Sequence, residues 1–385
     1  MDISNLRVAH YINEIRPGGG PKGYLYNLYE ADGDKFFDIV FESKSDSRIG
    51  EKSKPRKGWV LKKIIDKILP HRLVANCFLP KVYCNASFKD GTIDQLRKYQ
   101  VIIFHNLVDF STWNHKYKKD GQKCYVFSHC PTDLSTEYAL TDNKYDWSCR
   151  SKLLMKKQLC NMEIEQYKKA DGIICPTIHA LDGYFNHNIQ LREEFLNLHF
   201  YEILSGVKKT SKPLNSKAPE KITFLGRYHK SKGFDLFLKA SEYSTSKHKW
   251  ICGGFGSLSD EVCKYDKVKN LGWITNVADT MAEAVVLVIP NRETYFDLVI
   301  LEAISMGKVI VTTNIGGNKA LPNSPGIFLC EPNAESIAAA IDLAVEKYPN
   351  GYCHENEALF DELFELDKFR DRHNNLCNEL LGRGV

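Results

Sequence analysis

NRETYFDLVILEAISMGKVIVTTNIGG, from Asn291 to Gly317, writes out one strand-to-strand crossover almost in full. It follows an apolar run, Ala284 to Ile289 (AVVLVI), closed by Pro290. That length and β-branched content suit a buried parallel strand. A polar loop, Asn291 to Asp297, comes next. Leu298, Val299, Leu301, Ala303 and Ile304 then repeat at helical spacing, and Gly307 stands where a helix stops. Val309 to Thr313 (VIVTT) reads as the next buried strand, turned by Gly316 and Gly317. The unit is βαβ, with acidic and hydroxyl groups at the carboxyl end of its first strand, where open α/β sheets bind ligands. Glu302 lies inside the helix, so its carboxylate needs a hydrogen-bond partner. Either a ribose diol or a neighbouring Lys or Arg would serve.

Working outward, the preceding stretch repeats the same grammar. Ile222 to Leu225 (ITFL) is a buried strand leading to Gly226-Arg227, then Lys232-Gly233 and a helix at Phe234 to Ala240. Arg and Lys at a strand end beside a helix start form a cationic pocket suited to a diphosphate, or else plain surface charge. Trp250 to Cys252 runs into Gly253-Gly254-Phe255-Gly256, and Val268 to Leu271 into Gly272-Trp273. Lys208 to Lys221, rich in Ser, Pro and Lys, has the content of an exposed linker and places a domain boundary before it.

The first half alternates likewise. Arg7 to Ile12 is a strand entering a glycine-rich loop, Glu14 to Gly23, before an amphipathic helix from Tyr24. Such a loop lets backbone N–H groups approach a phosphate or sugar, though many are ordinary turns. Val101 to Phe104 ends in His105-Asn106, and Cys124 to Phe127 in Ser128-His129, so two histidines share one predicted rim with that loop. Asp133 follows His129 on the same loop. Ser151 to Ala170 reads as a long helix, and Asp171 to Pro176 as a short strand.

Glu51 to Leu73 is the most unusual stretch. Trp59, Leu61, Ile64, Ile65, Ile68 and Leu69 take helical spacing against Lys62, Lys63 and Lys67. A basic amphipathic helix of this kind suits an anionic membrane surface, and it equally suits a helix docked on a sheet. The C-terminal stretch Leu359 to Leu381 carries Phe360, Leu363, Phe364, Leu366, Phe369 and Leu376 near one helical face.

Composition bounds the rest. At 385 residues and 43% hydrophobic the chain exceeds one core and predicts two domains. No stretch is long and apolar enough to span a bilayer, and the N-terminus does not read as a secretory signal, so a cytoplasmic protein is expected. Twelve cysteines without metal spacing read as reduced core thiols. A net charge of +4 does not argue for nucleic acid.

In order, ITFLGRYHKSKGFDLFLKA, ICGGFG, VKNLGWI, ETYFDLVILEAISMGKVIV and NIGGN resemble the successive blocks of the group-1 family of retaining glycosyltransferases. PGGGPKG, YVFSHCPTD and ADGIICPT resemble that family's weaker N-terminal blocks. The resemblance implies a GT-B fold, an α/β architecture of two Rossmann-like domains facing a central cleft. Its divisions would be 1–207 for the acceptor, 208–365 for the nucleotide sugar, and a terminal helix in 366–385 crossing back. Arg227 and Lys232 match the pair that neutralises the donor diphosphate, and Glu302 the carboxylate on the ribose. His129 matches the histidine near the transferred sugar, and Gly19 and Gly20 the glycine loop beside the diphosphate. Gly226, Gly254, Thr294, Tyr295, Phe296, Asp297 and Leu298 fall in the donor blocks, and His105 and Asp133 are read as acceptor contacts.

One departure stands out. The family's E-x7-E motif places its first Glu at Thr294, with Glu293 one position early, and Asp297 replaces the usual Gly. Either the loop bulges so that Glu293 still faces the sugar, the reading favoured here, or Thr294 takes a changed role.

The implied reaction moves a sugar, with retention, from a UDP-sugar or GDP-sugar to a hydroxyl of a glycan or lipid-linked acceptor. Catalysis would rest on His129, Glu293, Arg227 and Lys232, with no metal and no cofactor. Two alternatives stay open: a catalytically silent GT-B homologue acting as a partner subunit, and a nonhydrolysing sugar-nucleotide epimerase.

Overall fold

The computed structural model describes residues 8–46, 86–130, 159–187, 193–195, 197–211 and 219–383. The basic amphipathic stretch Trp59 to Leu69, Asp133, the start of the helix predicted from Ser151, and residues 212–218 of the linker lie outside the described residues. The strands are β1 (Val8–Tyr11), β2 (Glu14–Ile15), β3 (Asp38–Val40), β4 (Ser43–Lys44), β5 (Val101–Phe104), β6 (Lys123–Phe127), β7 (Gly172–Cys175), β8 (Phe200–Glu202), β9 (Lys221–Leu225), β10 (Lys249–Gly253), β11 (Val268–Asn270), β12 (Ala284–Ile289), β13 (Ile310–Thr313) and β14 (Ile327–Cys330). The helices needed below are α1 (Gly20–Glu30), α2 (Leu107–Lys116), α3 (Phe234–Tyr243), α4 (Leu298–Ile304), α5 (Ala334–Lys347), α6 (His354–Leu363) and α7 (Leu366–Leu380).

The chain divides into two compact units. One holds the residues up to Cys175, Gly183–Ile203 and those from Arg370 onward, and the other Pro176–Asp182 and Leu204–Phe369. The first unit is built on a parallel sheet in the order β3-β1-β5-β6-β7-β8, with β2 and β4 paired beside it. Its central strands are buried end to end, as VAHY and VIIF predict for strands covered on both faces. Strand order reverses between β1 and β5, so the loops after these two strands diverge there and leave room for a ligand.

The second unit is a parallel sheet in the order β11-β10-β9-β12-β13-β14, the doubly wound order in which the reversal falls between β9 and β12. Alternation along β12 divides its side chains between two cores. Val286 and Val288 join Phe224, Phe234, Phe237 and Trp250 under α3 and α5. Leu287 and Ile289 join Ile300, Leu301, Phe360 and Phe364 under α4 and α6. Each such aliphatic burial stabilises by about 1.5–3 kcal/mol.

The C-terminal periodicity belongs to two helices and not one. α6 ends at Leu363, and the Phe364 carbonyl accepts the Val207 N–H at 3.0 Å in place of an intrahelical partner. Phe369, on α7, packs where a Cβ at Gly206 would lie 2.5 Å from its own Cβ. Among the described residues, no helix is long and apolar enough to cross a membrane. The described cysteines that are recorded as free include Cys124, Cys175, Cys252, Cys330 and Cys377, all buried.

Candidate active site

In the second unit, two loops meet at the reversal of strand order. The loop after β9 runs from Gly226 to Gly233, and the loop after β12 from Pro290 to Asp297. Gly233 takes φ +62°, and a Cβ there would overlap the Pro290 carbonyl, so only glycine lets the two backbones touch. The Ser231 carbonyl accepts the N–H groups of Arg292 at 2.9 Å and Glu293 at 3.2 Å. The Arg292 guanidinium grips Asp235 at 2.5 and 2.8 Å, a bidentate pair that secures the second loop to α3.

Lys232 Nζ bridges the same two loops by donating to Asp297 Oδ1 at 2.7 Å and Oδ2 at 3.0 Å. Asn291 Nδ2 donates to the same carboxylate. Burial pushes the Asp297 carboxyl up, but Lys232, Asn291 and Arg227 together hold it below the ordinary carboxylate value. Arg227 is exposed, and Lys232 is paired with a carboxylate.

Glu293 is half-buried, whereas Thr294 is 2% exposed and its hydroxyl has no hydrogen-bond partner among the described residues. Tyr295 and Leu298 are half-buried, and Phe296 is buried in the core under α4 and α6. Gly317 passes so close to the Tyr295 carbonyl that any side chain there would overlap it, which seats the loop on the turn after β13. Glu302 is half-buried on α4, one turn past Leu298. At the ends of β10 and β11, Phe255 and Trp273 are exposed by 60% and 55%, with ring centroids 5.4 Å apart. Both aromatics stand at the edge formed by the carboxyl ends of the parallel strands. The glycine spacing hid this pair, although both residues were visible beside Gly254 and Gly272.

In the first unit, β1 and the carboxyl ends of β5 and β6 carry a chain of histidines. His10 Nδ1 lies 2.9 Å from His105 Nε2, and His105 Nδ1 lies 2.7 Å from His129 Nε2. The rings of His105 and His129 stack at 5.0 Å. Tyr24, on α1, sets its ring 5.1 Å from His129 and its hydroxyl 2.8 Å from His373 Nε2 on α7. Gly18 and Gly20 have φ +116° and +73° and start α1 with Pro21 in its first turn, so the glycine loop delivers Tyr24 to His129. Gly19 is the N-cap of α1. Burial lowers the His10 and His129 imidazoles to about 3 and holds His105 and His373 well below their usual value. These rings are neutral at physiological pH.

His105 is therefore not an acceptor contact of the kind expected from sequence. It is 2% exposed with both ring nitrogens engaged, and it backs His129 from behind. His10, mid-strand, and His373, at the far end of the chain, were not found by sequence reasoning. Among the described residues, no group of His, Cys, Asp and Glu side chains is placed to hold a metal ion.

Comparison with known proteins bears on both units. The solved sucrose-phosphate synthase of Thermosynechococcus elongatus superimposes with a TM-score of 0.64 at 15% identity, covering 98% of this chain and 99% of that one. HepE of Anabaena, solved in complex with UDP-glucose, gives a TM-score of 0.61 at 14% identity over 97% and 99% of the two chains. TarM gives 0.53 at 16% identity, over 72% of this chain and 54% of that one. The fold of this protein is thus GT-B, the two-unit architecture of nucleotide-sugar glycosyltransferases.

Residues 219–347 match the family described as Glycosyl transferases group 1. Two proteins of the cps region of Klebsiella pneumoniae are also similar. An uncharacterized 42.6 kDa protein is 27% identical over 186 residues, 46% of this chain and 45% of that protein. An uncharacterized 41.2 kDa protein is 24% identical over 282 residues, 71% of this chain and 68% of that one. The chain thus spans less than half the length of the first of these relatives.

Proposed function

We propose that this protein is a glycosyltransferase that moves a sugar from a nucleotide-sugar donor to a hydroxyl of a glycan or lipid-linked acceptor in bacterial surface polysaccharide synthesis. The observation that carries the reading is the set Arg227 and Lys232 on the loop after β9 and Glu302 on α4, around the β9/β12 reversal of a parallel sheet. There Arg227 and Lys232 meet the diphosphate, and Glu302 takes the ribose hydroxyls. The exposed Phe255 and Trp273 stack the base, beside Gly254. Glu293 is a half-buried carboxylate of its loop and contacts the sugar, while buried Thr294 shapes the loop. A UDP-sugar is favoured over a GDP-sugar, and the UDP-glucose complex of HepE supports that choice. The cps-region relatives support the polysaccharide setting.

In this reading His129 lies beside the transferred sugar, and Asp133 belongs to the acceptor site. Retention follows without a protein nucleophile: the leaving phosphate oxygen helps to deprotonate the acceptor hydroxyl, and the protein supplies positioning and electrostatic stabilisation. The reaction takes place in the cytoplasm, with the basic stretch from Trp59 to Leu69 resting on the anionic inner face of the membrane.

A thermal-shift screen against UDP, GDP, ADP, dTDP and CMP tests the reading. A ligand at about 100 times its Kd adds about 2.7 kcal/mol, a shift of several degrees in Tm. A shift with one nucleotide, lost in Arg227→Ala and Glu302→Ala, is the expected result. No shift with any of them would transfer the protein to the class of silent partner subunits.

A further inference from the structure

The Lys232–Asp297 pair occupies the very place where an open sheet accepts its ligand. Asp297 closes on the lysine with both oxygens, at 2.7 and 3.0 Å, and it is not free to swing away. Asn291 holds the carboxylate from the other side. Asn291 is itself 1% exposed, and its carbonyl accepts the Thr313 hydroxyl at 2.6 Å, so the carboxylate is tied through Asn291 to β13. An ion pair anchored at only one end would release its lysine to an incoming anion. Here the anchored end is the acid.

We infer that Asp297 is a built-in competitor for the diphosphate, an affinity-setting residue that makes the donor share Lys232 with a fixed carboxylate and so speeds release of the nucleotide product. The inference rests on the nucleotide-sugar reading above. Lys232 has three N–H donors, of which the carboxylate takes two, and one remains to be offered to a phosphate oxygen. The acid stays ionised in the folded protein because Lys232, Asn291 and Arg227 outweigh its burial. A bound diphosphate therefore faces the full negative charge of Asp297, while Arg227, exposed, supplies a second cation. The side chains of the pair are 25% and 19% exposed, so water screens this repulsion only in part.

Calorimetric titration of the full chain with UDP, GDP, ADP and inorganic pyrophosphate, for wild type and Asp297→Asn, tests this. The amide keeps the shape and removes the charge. The expected result is about tenfold tighter binding of pyrophosphate and of the nucleotide that binds wild type, and loss of that gain in Asp297→Asn/Lys232→Met. A slower turnover with a lower KM in Asp297→Asn is expected alongside. Equal or weaker binding in a variant that still melts cooperatively overturns the inference and leaves Asp297 as a scaffold for the lysine. If Asp297→Asn does not fold, Asp297→Ser is titrated against the same outcomes. Wild-type protein that binds none of the four probes overturns the nucleotide-sugar reading, and this inference with it.

Discussion

Gly233 and Pro290 are in backbone contact: the glycine sits at φ +62° directly against the proline carbonyl, and through them the loops after β9 and β12 meet. A left-handed residue costs about 1–2 kcal/mol when it carries a side chain. The overlap with a carbonyl adds to this, because backbone has no rotamer to escape into. Gly233→Ala should therefore lose about 3 kcal/mol or more in urea unfolding and abolish any nucleotide-induced thermal shift. Wild-type stability in this variant would mean that the contact is loose.

Glu293 and Thr294 should separate cleanly. Thr294→Val keeps volume and removes a buried hydroxyl that has no partner among the described residues, so stability should stay level or rise by up to about 1 kcal/mol with turnover intact. Glu293→Gln should lower kcat about a hundredfold, the scale of removing one group that meets developing charge. Full turnover in Glu293→Gln combined with loss in Thr294→Val would move the sugar contact to Thr294.

Phe255→Ala and Trp273→Ala should leave Tm within about a degree or two, since both rings are largely exposed and surface changes stay within about 0.5 kcal/mol. Nucleotide affinity should fall about tenfold for each, within the 1–3 kcal/mol of a base stacked on an aromatic ring. An unchanged Kd in both would remove the base from this edge.

Acid should weaken the first unit. The His10 imidazole titrates at about 3 when folded against an ordinary value of 6.5, so below 6.5 the unfolded chain binds a proton that the native state refuses. Stability is then fully present above pH 6.5 and is lost as the pH falls towards 3, by up to about 1.4 kcal/mol per pH unit for this ring alone. His105, His129 and His373 are lowered too and add in the same direction. Urea midpoints measured from pH 7 to 4 should fall steeply, and His10→Asn should flatten the slope. A slope unchanged by this substitution would show that the ring is charged in the native state.

Activity should survive EDTA, since Arg227 and Lys232 supply the positive charge at the phosphates in the proposed reaction. A loss of more than about tenfold, restored by Mg2+ or Mn2+, would assign that charge to a metal instead.

The strands of the second unit were legible because AVVLVI, ITFL and VIVTT are continuous apolar runs punctuated by glycine, the pattern of strands buried on both faces. Arg227, Lys232 and Glu302 could be singled out for the same reason, each standing at a fixed offset from such a run. The Lys232–Asp297 bond could not, because it joins loops 65 positions apart and no spacing within either loop points to a partner in the other. His10 was passed over inside VAHY, where one polar residue does not break a strand pattern. The split between α6 and α7 was invisible as well: Phe360, Phe364 and Phe369 keep helical spacing across the break, and the carbonyl at the break is taken by the Val207 N–H, more than 150 positions upstream.

His373 and Asn374 have a consequence for how the protein is made. They fill places beside Tyr24 and Phe36, where Asn374 Oδ1 accepts the Phe36 N–H at 2.8 Å, yet in the chain they come after the whole of the second unit. A ribosome that has released Leu204 to Phe369 has produced every residue of the second unit while the first still lacks its closing piece. The first unit is therefore closed by residues that are made only after those of the second.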